Sequence, residues 1–304
     1  MEKVVITGGS GLVGIPLTKL LVESGYEVVH LTRKKNSKAG VTTFLWDYKT
    51  DFIEEGALEN ASHIIHLAGE SIAEGRWTAE RKNAILDSRT KTAEFLLKKV
   101  IEKNISLKSF ISASGISYYG TVTTQTIFKE EDTQGSDFAA QVVNEWEKSA
   151  DKFKDVCRVV KLRTGIVLDL RGGALKKMYG PVKWGIGSAL GSGKQYIPWI
   201  HMDDVCEMYL FALKNNISGS FNAVSNEPIT NGEFIKAVGK SSNHWVWFPK
   251  VPTFLLRLLF GEMSIVVLEG SRISNEKIKK EGFKFKFPEL KNALKDIFDK
   301  EKKN

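Results

Sequence analysis

The stretch KVVITGGSGLVG, residues 3–14, decides the fold. Its apolar and β-branched residues, Val4 to Thr7, predict a short buried strand of a parallel sheet. Glycines at positions 8, 9 and 11 then force a tight turn, after which the apolar residues recur at helical spacing. This order is typical of a loop that binds nucleotide phosphates, because glycine lets the backbone approach the anion and the helix N–H groups point at it. The alternative interpretation is an ordinary glycine turn.

Composition and length are those of a globular protein with more than one part. The chain has 304 residues, of which 42% are hydrophobic, and this length favours one large domain with an appendage or two domains. The net charge is +8, but the lysines are dispersed and no basic run carries interleaved aromatic residues. We therefore interpret them as solvated surface and expect no nucleic-acid partner.

Cysteine usage and the apolar runs indicate a cytoplasmic protein without a membrane partner. Cys157 and Cys206 are far apart in the chain, which favours a reducing compartment over a disulfide framework. The longest apolar run, residues 254–260, is interrupted by Arg257 and is too short to span a bilayer.

The end of the second predicted strand, Glu27 to Leu31, predicts the cofactor. A site for NAD places a carboxylate here for the ribose 2′-hydroxyl, whereas a basic residue accepts a 2′-phosphate. The chain continues with Thr32 and Arg33 and offers no carboxylate. Because a guanidinium can bind a phosphate through two hydrogen bonds, we predict NADP(H) rather than NAD.

Strands and helices alternate through the first half of the chain. This alternation predicts an α/β fold with a Rossmann-type, doubly wound parallel sheet. After the first two strands, the predicted strands are Thr42–Trp46, His63–Leu67, Ser109–Ser114 and Arg158–Leu162, and the predicted helices are residues 51–60, Trp77–Val100 and Asp137–Phe153.

The second half is less regular and predicts a smaller α/β substrate or lid domain. We place the cofactor domain at residues 1–170, with a segment returning to the sheet at about 196–225, and the lid region at 171–304. Within it, a glycine-rich segment at 172–193 is expected to wrap a pocket. The other predicted elements are strands at 196–201, 244–248 and 283–287, helices at 203–213, 253–259, 275–281 and 290–300, and a capping box at Thr230–Glu233.

Several polar side chains follow the ends of the predicted strands. Glu70 can hold a ribose, orient a substrate, transfer a proton or merely cap a helix. Hydroxyl groups cluster after the fifth strand, at Ser114 and Tyr118 among others, and Arg89 lies on the long helix where it can serve phosphates. Asp203 and Asp204 begin a helix, where acids complement the helix dipole, so we predict no metal site.

The chain resembles the extended short-chain dehydrogenase/reductases, and within them the atypical "epimerase-family" subgroup. The resemblance runs from end to end and includes a subgroup-specific C-terminal domain at about 245–300. The motifs that carry it are TGGSGLVG (7–14), HLAGES (66–71), RWT (76–78), YYG (118–120), WE (146–147), LRTGIVL (162–168), GGAL (172–175), LGSGKQ (190–195), WIHMDD (199–204) and GEM (261–263).

The resemblance implies roles for residues along a bound dinucleotide. Gly8, Gly11 and Gly14 would lie at the pyrophosphate, together with Ser10, Leu12 and Val13 of the same loop. Thr32 and Arg33 would lie at the adenosine end, and Arg89 near the phosphates. The remaining implied cofactor contacts are Leu67, Ala68 and Gly69 along the cofactor and Leu162 and Thr164 near the nicotinamide.

One departure from the superfamily pattern bears on catalysis. The usual Tyr-x-x-x-Lys dyad, in which the Lys lowers the pKa of the Tyr, would fall at Ala139 and Val143. Ser114 matches the usual serine, and Tyr118, Tyr119 and Glu70 are the substitutes within reach for proton transfer. For Tyr119 we favour packing under the pocket over catalysis. The chain is thus predicted to be an NADP(H)-dependent oxidoreductase or epimerase that acts on a small polar substrate, for which a nucleotide-linked sugar is one candidate. A homodimer is compatible with this prediction. The alternative is a non-catalytic NADP(H)-binding sensor.

Overall fold

The computed structural model describes residues 1–35 and 40–303. Its strands are, in chain order, β1 (Lys3–Thr7), β2 (Glu27–Thr32), β3 (Thr42–Asp47), β4 (Phe52–Ile53), β5 (Ala61–His66), β6 (Ser109–Gly115), β7 (Ile127–Phe128), β8 (Arg158–Thr164), β9 (Ile166–Leu168), β10 (Trp199–His201), β11 (Gly219–Ala223) and β12 (Arg272–Ile273). Its helices are α1 (Gly14–Glu23), α2 (Ala79–Glu102), α3 (Phe138–Asp151), α4 (Gly173–Lys183), α5 (Met202–Lys214), α6 (Asn231–Ser241), α7 (Thr253–Phe260), α8 (Ile265–Leu268), α9 (Glu276–Lys280) and α10 (Leu290–Lys303).

Within the described residues, eight strands form one sheet in the order β11-β8-β6-β5-β1-β2-β3-β4. The pairs from β11 to β3 are parallel, and only β4 runs antiparallel to its neighbour. The strand order reverses at β1, so the carboxyl ends of β1 and β5 form the crevice in which such sheets bind their ligands. The predicted Rossmann-type α/β fold is confirmed.

Helices cover both faces of this sheet, which explains why β1 is buried throughout. On one face Leu17 and Leu21 of α1 pack with Tyr209 of α5. On the other face Leu96 of α2 packs with Phe110 of β6. These two layers hold the carboxyl edge of the sheet rigid and position the residues that follow each strand.

The C-terminal part has a core of its own and lies beside the carboxyl edge. This core includes Leu175 of α4, Phe234 of α6 and Leu294 of α10, which pack with Leu168 of β9 and Trp199 of β10. The predicted capping box is present, because the Thr230 hydroxyl accepts from the Glu233 backbone N–H and the Glu233 carboxylate accepts from that of Thr230. None of the helices in the described ranges is long and apolar enough to cross a membrane.

Three predicted elements are wrong. Residues 51–60 do not form a helix: β4 pairs with β3, and left-handed turns follow at Gly56 and Asn60. Residues 283–287 do not form a strand, because the backbone N–H groups of Lys286 and Phe287 donate to the Asp204 carboxylate instead of to a neighbouring strand.

Residues 244–248 also form no strand. Trp245 and Trp247 are largely exposed there, so the alternation of apolar residues does not mark a face turned to the core. The other predicted elements are present, with ends that shift by a few residues.

Candidate functional site

The glycine loop lies against the end of β5 at a distance that excludes side chains. Gly8 has φ +71°, and a Cβ on it would lie 2.9 Å from the backbone carbon of Leu67. A Cβ on Gly14 would lie 2.5 Å from the carbonyl oxygen of Gly8, where α1 begins. The loop therefore leaves its backbone open at the N-terminus of a helix, which is an arrangement suited to binding phosphate.

A buried histidine holds the loop and the end of β5 together. The Thr7 hydroxyl and His66 Nδ1 are 2.8 Å apart, and Thr7 Oγ1 also accepts from the Ala68 backbone N–H at 3.2 Å. His66 Nε2 lies 3.2 Å from the hydroxyl of Thr92 on α2. Burial lowers the pKa of His66 to about 4, so the ring is neutral at pH 7 and serves the packing of the crevice.

Cations gather around Glu70 beyond the end of β2. The Arg33 guanidinium is mostly exposed and lies 3.9 Å from one Glu70 oxygen, and Arg81 lies 3.2 Å from the other. The Thr32 hydroxyl donates to the carbonyl of Lys34. Sequence reasoning missed Arg81, although its position at the start of α2 places a cation close to the crevice.

Arg89 lies beneath the backbone that follows β5. It is buried, and its two terminal nitrogens donate to the carbonyls of Ile85 and Glu70, each at 2.8 Å. Its guanidinium stacks on Trp146, and burial lowers its pKa to about 10, so it remains charged. Arg89 therefore supports the backbone of residues 69–70 and is not itself part of the cleft lining.

A cleft of about 1000 Å³ runs from the glycine loop to the ends of β6 and β8. Its lining comes from residues 8–164, from α4 and residues 186–190, from α5 and α6, and from residues 251–267. The predicted site residues that line it are Gly8, Gly11, Leu12, Val13, Gly14, Leu67, Gly69, Ser114 and Thr164. The predicted residues outside its lining are Ser10, Thr32, Arg33, Ala68, Glu70, Arg89, Tyr118 and Leu162.

Ser114 is tied to a buried ion pair behind the cleft. Its hydroxyl donates to Glu147 Oε1 at 2.7 Å, and Arg163 binds both oxygens of the same carboxylate, at 2.7 and 2.9 Å. Burial by itself would raise the pKa of Glu147, but the hydrogen bonds and charge of Arg163 outweigh it and hold this pKa below its usual value. Glu147 is therefore ionised and fixes the direction of the Ser114 hydroxyl.

The two tyrosines after β6 contact the same arginine. The Tyr119 hydroxyl donates to Asn222 at 2.7 Å and accepts from Arg163 at 3.0 Å, while burial raises its pKa to about 12. The Tyr118 ring stacks on Arg163, with the guanidinium carbon 3.4 Å from the ring centre. Arg163 belongs to the LRTGIVL motif and Glu147 to the WE motif. The motifs alone did not predict that these two side chains form an ion pair.

The positions of the usual dyad carry packed apolar side chains. Ala139 and Val143 are both buried in α3. Val143 stands close to the end of β6, since a Cβ on Gly115 would lie 3.6 Å from it. The face of α3 that would carry Tyr and Lys is therefore hydrophobic here.

The acids at the start of α5 make contacts within the protein. Asp204 accepts the two backbone N–H groups described above, and burial raises its pKa. Asp203 lies near His201 and Asp296, and the Lys300 ammonium is 3.2 Å from Asp203 and 2.8 Å from Asp296. A lysine thus already supplies the positive charge between the two carboxylates.

The fold and this crevice define a Rossmann-type protein with a glycine loop at the N-terminus of its first helix. The model of the NAD dependent epimerase/dehydratase family matches residues 4–145, and that of a domain of unknown function (DUF1731) matches residues 251–297. The chain is 33% identical to the epimerase family protein SDR39U1 of Mus musculus, over 97% of this chain and 99% of that one. It is also 33% identical to the epimerase family protein YfhF of Bacillus subtilis, over 97% of each chain. The chain belongs to this epimerase family of atypical short-chain dehydrogenases/reductases, which confirms the resemblance.

Solved structures agree with this assignment. The structure of human SDR39U1 (isoform 2) with NADPH matches with a TM-score of 0.89 and 31% identity, over 98% of this chain and 99% of that one. UDP-glucose 4-epimerase from Thermotoga maritima matches with a TM-score of 0.79 at 18% identity, over 98% and 99%. At that level of identity the second match shows the shared fold alone.

Proposed function

We propose that the protein binds NADP(H) in the cleft. The residues present fit this cofactor, because the loop at Gly8 has no room for a side chain and the N-terminus of α1 faces the crevice. Arg33, rather than a carboxylate, follows β2, which favours a 2′-phosphate. The human relative solved with NADPH supports the same choice.

The proposed contacts combine residues that line the cleft with neighbours that lie outside its lining. Thr32 and Arg33 hold the adenosine end, and Arg89 acts by fixing the Glu70 carbonyl. The loop residues Gly8, Ser10, Gly11, Leu12, Val13 and Gly14 hold the pyrophosphate, and Leu67, Ala68, Gly69, Leu162 and Thr164 adjoin the rest of the cofactor. The region 171–304, which we propose as the substrate domain, contributes the rest of the lining.

We further propose that the protein is an oxidoreductase or epimerase for a small polar substrate, with nucleotide-linked sugars among the candidates. The observation that carries this is a single cleft that joins the glycine loop to Ser114 and Thr164. When bound, NADP(H) exchanges a hydride with a substrate carbon. Because the Ser114 proton points to Glu147, its oxygen lone pairs are free to accept a hydrogen bond from a substrate hydroxyl.

Tyr118 and Glu70 are the proposed proton-transfer groups. Tyr118 packs on Arg163, in the network that holds Ser114, whereas Glu70 is engaged by Arg33 and Arg81. The contacts therefore favour Tyr118 for proton transfer and Glu70 for ordering the adenosine end.

A non-catalytic NADP(H) sensor is the second candidate. The observation that favours it is the buried apolar pair Ala139 and Val143 at the positions of the usual dyad. A sensor needs the glycine loop and the cleft but not a proton-transfer group.

Fluorescence titration with NADPH and NADH, followed by a turnover screen, tests these proposals. We expect saturable binding that is tighter for NADPH, and absence of NADPH binding would refute the cofactor proposal. Sugar nucleotides and small carbonyl compounds are then screened with the wild type, Ser114→Ala, Tyr118→Phe and Glu70→Gln. For a catalytic group we expect turnover to fall about 100-fold or more while NADPH affinity is kept. NADPH binding without turnover across the panel would favour the sensor.

A further inference from the structure

Large apolar side chains are exposed on the outer wall of the cleft. Trp245 is 84% exposed, Trp184 is 81% exposed and Phe254 is 72% exposed. Together with these three, the set that we call the apolar patch consists of Ile186, Trp247, Phe248, Leu258 and Leu259. Single exposed apolar residues are common on protein surfaces, whereas a contiguous set of them marks a surface that binds a partner or a membrane.

The members of the patch lie on segments that run side by side. The Ser188 hydroxyl donates to the carbonyl of Pro249 at 2.5 Å. Gly191 and Val251 are joined by a backbone hydrogen bond of 2.9 Å, and Val251 donates to Ala189 at the same distance. The chain then enters α7 directly, so the loop around Trp184, the loop around Trp247 and the helix form one surface.

The two segments that carry the patch contain basic residues but no acidic ones. Residues 172–195 and 234–260 contain no Asp or Glu. Their eight basic residues, all exposed, are Lys176, Lys177, Lys183, Lys194, Lys236, Lys240, Lys250 and Arg257. Together the two segments therefore carry a charge of +8.

We propose that this face docks the protein on the surface of an anionic lipid membrane. Tryptophan prefers the headgroup level of a bilayer, Phe and Leu enter the acyl boundary, and Lys and Arg attract anionic headgroups. This mode lays the protein on the membrane and needs no spanning helix, so it agrees with the absence of one from the described helices.

A second copy of the chain fits this face poorly. A two-fold contact places the same patch against itself, so it would bring together two sets of segments that carry only positive charges. An anionic bilayer has the opposite charge, which is why we assign the surface to lipid.

Docking on this face places the mouth of the cleft at the membrane. Ile186 and Leu259 belong to the patch and also line the cleft, and Val251 and Leu256 line it just inside. A molecule could therefore pass between the bilayer surface and the cleft along apolar side chains.

Vesicle flotation of the full-length chain tests the proposal. One set of vesicles is phosphatidylcholine alone, and the other is an equal mixture with phosphatidylglycerol. We expect flotation with the anionic vesicles only, and a loss of binding at high salt. In the double variant Trp245→Ser/Trp247→Ser we expect the partition coefficient to fall about tenfold or more. Both side chains are exposed, so the melting temperature should stay near that of the wild type.

A matched control changes exposed apolar residues elsewhere. The double variant Phe52→Ser/Ile101→Ser removes side chains from β4 and from the end of α2, away from the patch, and should float like the wild type. The proposal is wrong if the protein does not float with anionic vesicles, if neutral vesicles bind it equally, or if the tryptophan variant binds unchanged. It is also wrong if sedimentation shows a dimer that the tryptophan variant converts to monomer, because the patch would then be a self-interface.

Discussion

The hydroxyl of Ser114 donates a hydrogen bond of 2.7 Å to the carboxylate of Glu147, which Arg163 binds from the other side. Ser114 ends a strand, Glu147 lies in the next helix and Arg163 lies at the end of the next strand. The serine at the cleft is thus oriented by a buried ion pair between β8 and α3, the helix on which the superfamily carries its Tyr and Lys. Glu147 lies one turn beyond Val143, the position of the dyad's Lys, and the pair does not supply the chemistry of the dyad, since an ionised carboxylate held by an arginine is a weak base.

Replacement of Glu147 by Gln should destabilise the protein strongly. The variant leaves the Arg163 charge buried without its partner, and such a loss typically costs about 3–5 kcal/mol. Urea unfolding of the two proteins measures the change. The control is Glu145→Gln on the same helix, which removes an exposed pair with Lys148 and should change the free energy of unfolding by less than about 0.5 kcal/mol. An equal, small effect of both variants would contradict the structural role of the pair.

Replacement of Gly8 by Ala should impair both folding and cofactor binding. The added Cβ meets the Leu67 backbone, and the φ of +71° disfavours any side chain, so we expect a loss of about 1–3 kcal/mol. The control Gly25→Ala has φ +86° but no atom within 4 Å of the new Cβ, so it carries the strain without the clash. NADPH titration should show weaker binding for Gly8→Ala alone. If Gly25→Ala weakens binding as much, the loop has no special role.

Replacement of Arg33 by Ala should remove the preference for NADPH. A guanidinium bound to a phosphate contributes about 1.5–3 kcal/mol, so NADPH affinity should fall roughly tenfold or more while NADH affinity stays the same. The comparison variant is Lys19→Ala, which deletes one exposed positive charge on α1. An unchanged ratio of the two affinities in Arg33→Ala would show that another residue reads the 2′-phosphate.

Stability should fall as the pH drops from about 6.5 toward 4. Burial lowers the pKa of His30 and of His66 to about 4, whereas an unfolded histidine titrates near its ordinary value. The unfolded chain therefore binds protons that the folded protein does not, and each histidine should cost about 2 kcal/mol by about pH 5. Urea unfolding across this range measures the slope.

The variant His30→Gln separates this effect from the titration of carboxylates. In this variant the free energy of unfolding should fall less between about pH 6.5 and pH 5, by about 2 kcal/mol, because one titrating histidine is gone. An unaltered slope in His30→Gln would mean that this ring titrates normally in the folded protein.

The sequence by itself determined the features that neighbouring residues encode. Turn chemistry and apolar periodicity over residues 3–14 predicted the first strand, the glycine loop and the first helix. The resemblance to the superfamily, read on its motif spacing, located Ala139 and Val143 where the dyad would lie. Similar local signals failed at 51–60 and 283–287, because left-handed turns and the Asp204 carboxylate determine those backbones.

Only the tertiary structure decided what the polar and exposed residues do. Ser114 and Glu147 are 33 positions apart, and Glu70 joins Arg33 to Arg81 across separate elements, so these contacts depend on strand order and helix packing. The apolar patch likewise depends on the packing, because other elements bury Leu256 of α7 but leave Phe254 and Leu258 of the same helix exposed. Local sequence sets the conformation of each segment, whereas pairing between distant charges and the burial of each face are settled only when the segments pack.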